Sequence, residues 1–253
     1  MAIPRTIAIG ADGSQPLNLA GAEALLDSPS LSAAIPARLR SPARARRDAT
    51  YAAAKRLLDI LGAVTLLLVL LPLFALIGLA IVLDSGFPIL YRGERIGRLG
   101  QSFRVVKFRS MSADADQTPH IQLVRGLMRE PSADCSLYKV ADDQRITRVG
   151  AFLRRTSIDE LPQLWNVLRG EMSLVGPRPD VPYAVADYDA WIRPRLVVKP
   201  GITGLWQVSG RSRLSLLDMY RLDVAYAAGA SLVLDLYILL RTLPVVLGRD
   251  GAG

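Results

Sequence analysis

Cysteine and histidine are nearly missing from this chain, with one of each, Cys135 and His120, in 253 residues. A single cysteine excludes an intrachain disulfide, and a single histidine excludes a histidine-rich zinc site. Any resident metal is therefore expected to be a hard cation on oxygen ligands. Acidic residues are also the minority charge: 23 Asp and Glu stand against 31 Lys and Arg, giving a formal charge of +8 and a pI of about 10.0. Such a balance suits nucleic acid, an anionic membrane surface or anionic small substrates, and charge alone does not choose among them. No apolar core closely follows the first basic residue, so the N-terminus does not read as a secretory signal. There is no internal repeat. Apolar residues are plentiful: a hydrophobic share of 51% and a mean hydropathy of +0.26 favour the membrane surface.

Three segments follow from the pattern. Residues 1–47, rich in Ala, Pro, Ser and Gly, read as a poorly ordered extension. It ends on Arg38, Arg40, Arg44, Arg46 and Arg47, which suit anionic lipid headgroups. Residues 48–86 are the membrane element. The uncharged run Ile60 to Leu83 is long enough, as a helix, to cross a hydrocarbon core of ~30 Å. Two topologies fit it: a spanning helix, or a re-entrant helix that turns at Pro72 and leaves on the face it entered. Pro72 removes a backbone hydrogen bond midway. Lys55 and Arg56 precede the run and Arg92, Arg95 and Arg98 follow it, whereas a span should carry its positive charge on one side. Asp59 is expected to pair with Lys55 or Arg56 near the headgroups.

Residues 87–253 read as an α+β domain, predominantly helical. Pro88–Arg92 and Ser102–Arg109 make a small β-hairpin around Gly97 and Gly100. Lys107 and Arg109, two apart on a strand, share a face. One helix is expected near 121–128. From Thr147 the spacing is helical, first through Val149, Phe152 and Leu153, then through Leu161, Leu164, Trp165 and Leu168 up to Gly170. A helix over 183–198 is interrupted by Pro194, and 199–211 is a glycine-rich loop around a short strand. Residues 214–247 are helical and apolar, either buried in the core or lying as an amphipathic helix in the membrane interface.

The chemistry concentrates in 145–179. Asp159 and Glu160 are adjacent carboxylates among arginines. Acidic residues commonly cap helices, and Ser157 with Glu160 has capping-box spacing. Arg154 and Arg155 just upstream make the same place an anion site. An ionised Asp can attack phosphorus, and a neighbouring Glu can hold Mg²⁺. Gly176-Pro-Arg-Pro179 presents Arg178 between two prolines that restrict the backbone. Arg211 and Arg213 follow the glycine-rich loop. Tyr91 and Trp206 read as packing residues.

Together these motifs resemble the bacterial sugar transferase family, the monotopic phosphoglycosyl transferases that act on polyprenol phosphate. The resemblance runs from about Lys55 to the C-terminus. It is carried by Lys55-Arg-Leu-Leu-Asp59, the run broken at Pro72, Lys107-Phe-Arg-Ser-Met111, Arg154-Arg-Thr-Ser-Ile-Asp-Glu-Leu-Pro-Gln-Leu164, Ser173-Leu-Val-Gly-Pro-Arg-Pro179, and Lys199-Pro-Gly-Ile-Thr-Gly-Leu-Trp-Gln-Val-Ser-Gly-Arg211. Leu71 stands where the family often has Ser, Gln144 where Pro is common and Glu171 where Asp is common. The resemblance implies a re-entrant helix, interfacial amphipathic helices, and a catalytic domain on the cytoplasmic face of the bacterial inner membrane. It implies transfer of hexose 1-phosphate from a UDP-sugar, galactose or glucose favoured, to undecaprenyl phosphate with Mg²⁺. UMP leaves, a phospho-Asp forms on the way, and the product starts exopolysaccharide repeat units. Asp159 matches the nucleophile, Glu160 the metal-binding partner and Arg178 the substrate-binding arginine. Lys107, Arg109, Arg154, Arg155 and Arg211 are further expected substrate contacts. Nucleic acid is not an expected partner, and homo-oligomerisation is left open. The alternatives are a membrane-anchored basic module that binds polyanions without catalysis, and a lipid phosphatase with water as acceptor.

Overall fold

A computed structural model describes residues 49–112, 118–129, 143–210 and 214–247. The expected basic extension over 1–47 and the candidate Arg211 lie outside the described residues. Helix α1 (Ala49–Ser85) is followed by an antiparallel hairpin of β1 (Leu90–Ile96) and β2 (Ser102–Phe108). Helices α2 (Thr118–Arg129) and α3 (Arg148–Thr156) come next. A 3₁₀ turn over Ile158–Gln163 leads into α4 (Leu164–Arg169). Strand β3 (Ser173–Val175) pairs in parallel with β4 (Gly201–Thr203). Between them lie α5 (Pro182–Ala186) and a 3₁₀ turn over Arg193–Val197. The last described elements are α6 (Leu205–Ser209), α7 (Leu216–Gly229) and α8 (Leu232–Leu247). The expected α+β, mainly helical class is what the chain adopts. The short strand expected within 199–211 is β4; its partner β3 was not legible, because a strand of three residues shows no alternation.

Helix α1 has 37 residues and runs without interruption through Pro72. The expected break is therefore not a loop between two helices. A proline forfeits one hydrogen bond and crowds one carbonyl, and the apolar run on both sides continues the helix past that defect. Both ends of α1 pack on the same body. Near its start, Ala63 is buried against the main core, which includes Leu174, Leu222 and Leu234. Near its end, Ile77 and Ile81 pack with Phe108 and Leu153, and Phe74 meets Phe108 edge-on at 5.3 Å. Between these docked ends, Leu68, Val69 and Leu71 are 63–69% exposed.

The polar residues of α1 act as clamps to the domain rather than as headgroup contacts. The Lys55 Nζ donates to Asp235 (2.8 Å), to the Val175 carbonyl (3.1 Å) and to the Tyr226 hydroxyl (3.2 Å). Arg56 donates to the carbonyls of Val167 and Leu168 at 2.6 and 2.7 Å, closing the C-terminus of α4. Asp59, buried, accepts from the Leu174 amide (2.8 Å) and the Ser173 hydroxyl (2.9 Å). The expected pairing of Asp59 with Lys55 or Arg56 is thus replaced by bonds to β3. Lys55 and Arg56 are spent on α4, α8 and the Val175 carbonyl, and a buried carboxylate must be hydrogen-bonded, which the amide and hydroxyl of β3 provide.

Residues 214–247 form two helices. Helix α7 is the core helix, with Leu222, Val224, Ala225 and Tyr226 buried. Helix α8 buries Leu234 and Ile238 and turns Val233, Leu236, Leu240 and Leu243 outward. Those four outward residues repeat at helical spacing, so α8 carries apolar residues on both sides.

Candidate active site

Helix α3 sets where the carboxylates fall. Thr147 caps its N-terminus, accepting from the Gly150 amide at 3.0 Å. A Cβ on Gly150 would overlap the backbone of Ser110, so glycine lets α3 cross directly against the chain leaving β2. At the far end, Ser157 adopts the left-handed conformation (φ 58°), its amide bonding back to the carbonyls of Leu153 and Arg154. The capping box expected of Ser157 and Glu160 does not form: Ser157 both closes α3 and precedes the 3₁₀ turn, but in the left-handed conformation its side chain makes no cap bond. The chain reverses there, and the 3₁₀ turn carries Asp159 and Glu160 across the face of β2. Asn166 fixes that face: its amide accepts from the Val106 amide (2.9 Å) and donates to the Arg104 carbonyl (2.8 Å). One side chain thereby substitutes for a neighbouring strand along the free edge of β2.

Glu160 is clamped. Arg178 donates to both of its oxygens, at 2.7 and 2.5 Å, and Lys107 adds a third bond at 2.6 Å. The side chains of Glu160 and Lys107 are 12% and 17% exposed, and that of Arg178 is 35% exposed. Burial would raise the Glu160 pKa, but Arg178 and Lys107 outweigh it and hold the carboxyl well below its usual range. Asp159 is buried beside this cluster, and its pKa moves the other way. Burial raises it, Glu160 adds like-charge repulsion, and Lys107, Arg178 and Arg154 oppose. Lys107 is pushed down by burial despite Glu160. The site thus places an anion locked in the charged state next to a carboxylate that is costly to ionise, within a positive field.

The other expected contacts divide. Arg154 is exposed and contributes field at Asp159. Arg155 is exposed and bonds to neither carboxylate. Arg109 lies apart from the two carboxylates. It is buried, and its guanidinium donates to the carbonyls of Ser85, Gly86 and Phe87 at 2.8, 2.6 and 2.8 Å, which closes the end of α1. The two-residue rule places Lys107 and Arg109 on one face only while the strand lasts, and β2 ends at Phe108.

Sequence reasoning missed the layer behind Arg178. Arg195 is 3% exposed and donates to the Arg178 carbonyl at 2.6 Å. It also donates to Asp223 at 2.6 and 3.1 Å, to Asp180 at 3.4 Å and to the Tyr188 hydroxyl. Tyr188 and Tyr220 donate to Asp180 at 2.7 and 2.8 Å. Burial pushes the Asp223 carboxyl up to about 6, against the opposing charge of Arg195.

Among the described residues no three or more His, Cys, Asp or Glu side chains converge on one point. An all-protein cage is therefore lacking there, but Mg²⁺ does not require one. It takes one or two carboxylates and completes its shell with water and substrate phosphate. Asp159 and Glu160 fit that demand.

The site is thus an acidic pair, with Glu160 clamped by Arg178 and Lys107 and Asp159 buried beside it, on a domain gripping one long apolar helix. Residues 50–249 match the family model described as bacterial sugar transferase, and the chain belongs to that family. It is 44% identical over 201 residues to a UDP-galactose-lipid carrier transferase of Erwinia amylovora, covering 78% of this chain and 41% of that protein. It is 41% identical over 195 residues to the exopolysaccharide production protein ExoY of Sinorhizobium fredii, covering 76% and 84%. It is 41% identical over 206 residues to a UDP-glucose:undecaprenyl-phosphate glucose-1-phosphate transferase of Caulobacter vibrioides, covering 78% and 71%. The chain spans about two fifths of the length of the Erwinia relative and of the galactosyl transferase CpsE of Streptococcus agalactiae.

Proposed function

We propose that this protein transfers hexose 1-phosphate from a UDP-sugar to undecaprenyl phosphate, beginning exopolysaccharide repeat-unit assembly at the cytoplasmic face of the inner membrane. The observation that carries the reading is the bidentate Arg178–Glu160 pair, shared by Lys107, beside the buried Asp159. The names of the relatives support galactose or glucose as the sugar.

In the first step a carboxylate oxygen of Asp159 attacks the sugar-bearing phosphorus. The bond from that phosphorus to the bridging oxygen breaks, and UMP leaves with the electron pair. In the second step an oxygen of undecaprenyl phosphate attacks the same phosphorus. The acyl-phosphate bond breaks and Asp159 is regenerated. Asp159 must be ionised to attack; burial raises its pKa, and the charges of Lys107, Arg178 and Arg154 oppose that rise. Arg178 and Lys107 supply that charge, and they remain in place to meet the diphosphate. Glu160 holds both cations by their nitrogens and so fixes where the diphosphate lies. Mg²⁺ would be held by Glu160, with Asp159 close by, and would neutralise diphosphate charge as UMP departs.

The membrane element is read as re-entrant. Both ends of α1 pack on one domain while its apolar middle is exposed, which supports that reading; the turn it requires would be a bend at Pro72 within the continuous helix. Such a helix delivers a lipid phosphate to a surface site without crossing the bilayer.

The test is UMP release from a panel of UDP-sugars with Mg²⁺, at high enzyme concentration, with and without undecaprenyl phosphate. The expected result is a burst near one UMP per enzyme without lipid and steady turnover with it, for one sugar. No release from any UDP-sugar, even with the lipid, would overturn the reading.

A further inference from the structure

Arg178 reaches Glu160 with a side chain that is one-third exposed and carries several rotatable bonds. Its usefulness depends on what fixes its backbone. The preceding turn is docked on β4: the Gly176 amide donates to the Thr203 carbonyl and the Gly201 amide to the Pro177 carbonyl, each at 2.9 Å. A Cβ at Gly176 or Gly201 would overlap the opposing backbone, so the two chains touch without side chains between them. After the turn, the Asp180 carbonyl accepts from the Ile96 amide at 2.9 Å. Between these anchors the Arg178 carbonyl accepts from the buried Arg195.

We propose that Arg195 is a positioning residue for Arg178, holding the Pro-Arg-Pro turn so that the Arg178 guanidinium meets Glu160 and the substrate in one orientation. The proposal rests on the transfer reading above for its kinetic consequences, but its geometric claim does not. Arg195 is itself over-determined. Asp223 takes two of its nitrogens, Asp180 and the Tyr188 hydroxyl share the third, and the Tyr188 and Tyr220 rings lie 5.6 and 5.0 Å from its guanidinium carbon. The planar fork of an arginine addresses all these partners at once, and the single ammonium of a lysine cannot. A buried arginine serving only the local fold would need Asp223 and Asp180. The bond to the Arg178 carbonyl links it to the site.

The test is a double-substitution cycle with a second readout independent of turnover. Arg195→Lys is expected to lower kcat/KM for the UDP-sugar roughly tenfold or more, as misplacement of a binding group does. In an Arg178→Ala background the same change is expected to lower it less than about twofold, because coupled residues do not add. Multiplication of the two separate losses in the double variant would overturn the proposal. The second readout is the rate at which phenylglyoxal modifies Arg178, followed by peptide mass spectrometry with exposed Arg155 as the internal reference. Arg195→Lys is expected to speed labelling of Arg178 several-fold, and an unchanged ratio would overturn the proposal. Should Arg195→Lys fail to fold, Tyr220→Phe removes one bond to Asp180 and is expected to move the labelling ratio in the same direction, and no change would again overturn it. Absence of UMP release by the unsubstituted protein would sink the transfer reading alone, since the labelling comparison still stands.

Discussion

Two buried ion clusters lie within a few residues of each other along the Gly-Pro-Arg-Pro segment, and they are built on opposite balances. Around Glu160 cations are in excess: Arg178 and Lys107 bond to one carboxylate, with Arg154 adding field at Asp159. Around Arg195 anions are in excess: Asp180 and Asp223 share one guanidinium, and Asp223 Oδ1 is buried without a partner. The first balance depresses the pKa of Glu160 and leaves positive charge for a phosphorylated ligand. In the second, burial raises the pKa of Asp223 with Asp180 adding to the rise, and the one guanidinium is shared between two carboxylates. A cluster that binds phosphate needs unspent cations, whereas a cluster that holds a turn needs only to be closed. Substitutions should therefore separate activity from stability differently in the two places.

Asp159→Asn is the largest expected effect and the cleanest break in that comparison. An amide cannot form the acyl phosphate, so turnover is expected to fall by roughly 10³-fold or more, as for other nucleophile removals. Stability should hold or rise, because the folded protein already disfavours ionised Asp159. UMP release and thermal unfolding, measured on the same preparation, check both halves. Near-normal turnover would exclude the covalent step.

Glu160→Gln is next, and it should lose both activity and stability. The neutral amide leaves Lys107 and Arg178 largely desolvated without their counter-charge. Breaking one partner of such a pair costs about 3–5 kcal/mol. Because the folded carboxyl is held below its usual range, its stabilisation is present above the ordinary pKa and is lost as pH falls. The wild type should therefore lose this contribution on acidification, and Glu160→Gln should not. An unfolding midpoint equal to wild type would mean that the clamp is not load-sharing in the fold.

Much of the Glu160 cluster was legible because its members sit in compact motifs. Asp159 and Glu160 are adjacent, Arg178 is framed by prolines, and Lys107 opens its own motif. The Arg195 cluster was not legible. Arg195 and Asp223 are 28 residues apart and Arg195 and Asp180 are 15 apart, with no local pattern to mark them. Arg195 reads in sequence as one more surface charge on an interrupted helix. Lys55, Arg56 and Asp59 were read as membrane-edge charges by their neighbours, and only tertiary packing shows them spent on β3, α4 and α8. Strand parity does not reach Arg109, because β2 ends at Phe108 and the guanidinium turns to the carbonyls that end α1. Hydropathy located the long apolar helix, but its continuity through Pro72 goes with packing at both ends and is not what the proline rule leads one to expect.

The smallest expected effect tests the second cluster. The groups facing Asp223 are Arg195, Asp180, Arg178 and the Tyr188 hydroxyl. Its folded pKa of about 6 lies above the ordinary 3.8, so the folded state binds this proton more tightly than the unfolded one. The associated stability is full below the ordinary value and is lost as pH rises through about 6. At roughly 1.4 kcal/mol per pKa unit, the whole swing is at most about 3 kcal/mol. Asp159 contributes in the same direction and Glu160 in the opposite one, so the wild-type profile is a sum. The difference between wild type and Asp223→Asn isolates the one group. That difference should favour the Asn variant increasingly from about pH 4 to pH 7, while kcat/KM at neutral pH changes less than about threefold, because the amide oxygen still accepts from Arg195. A difference independent of pH would mean that Asp223 is ionised throughout, and the shortage of cations around Arg195 would then be no shortage at all.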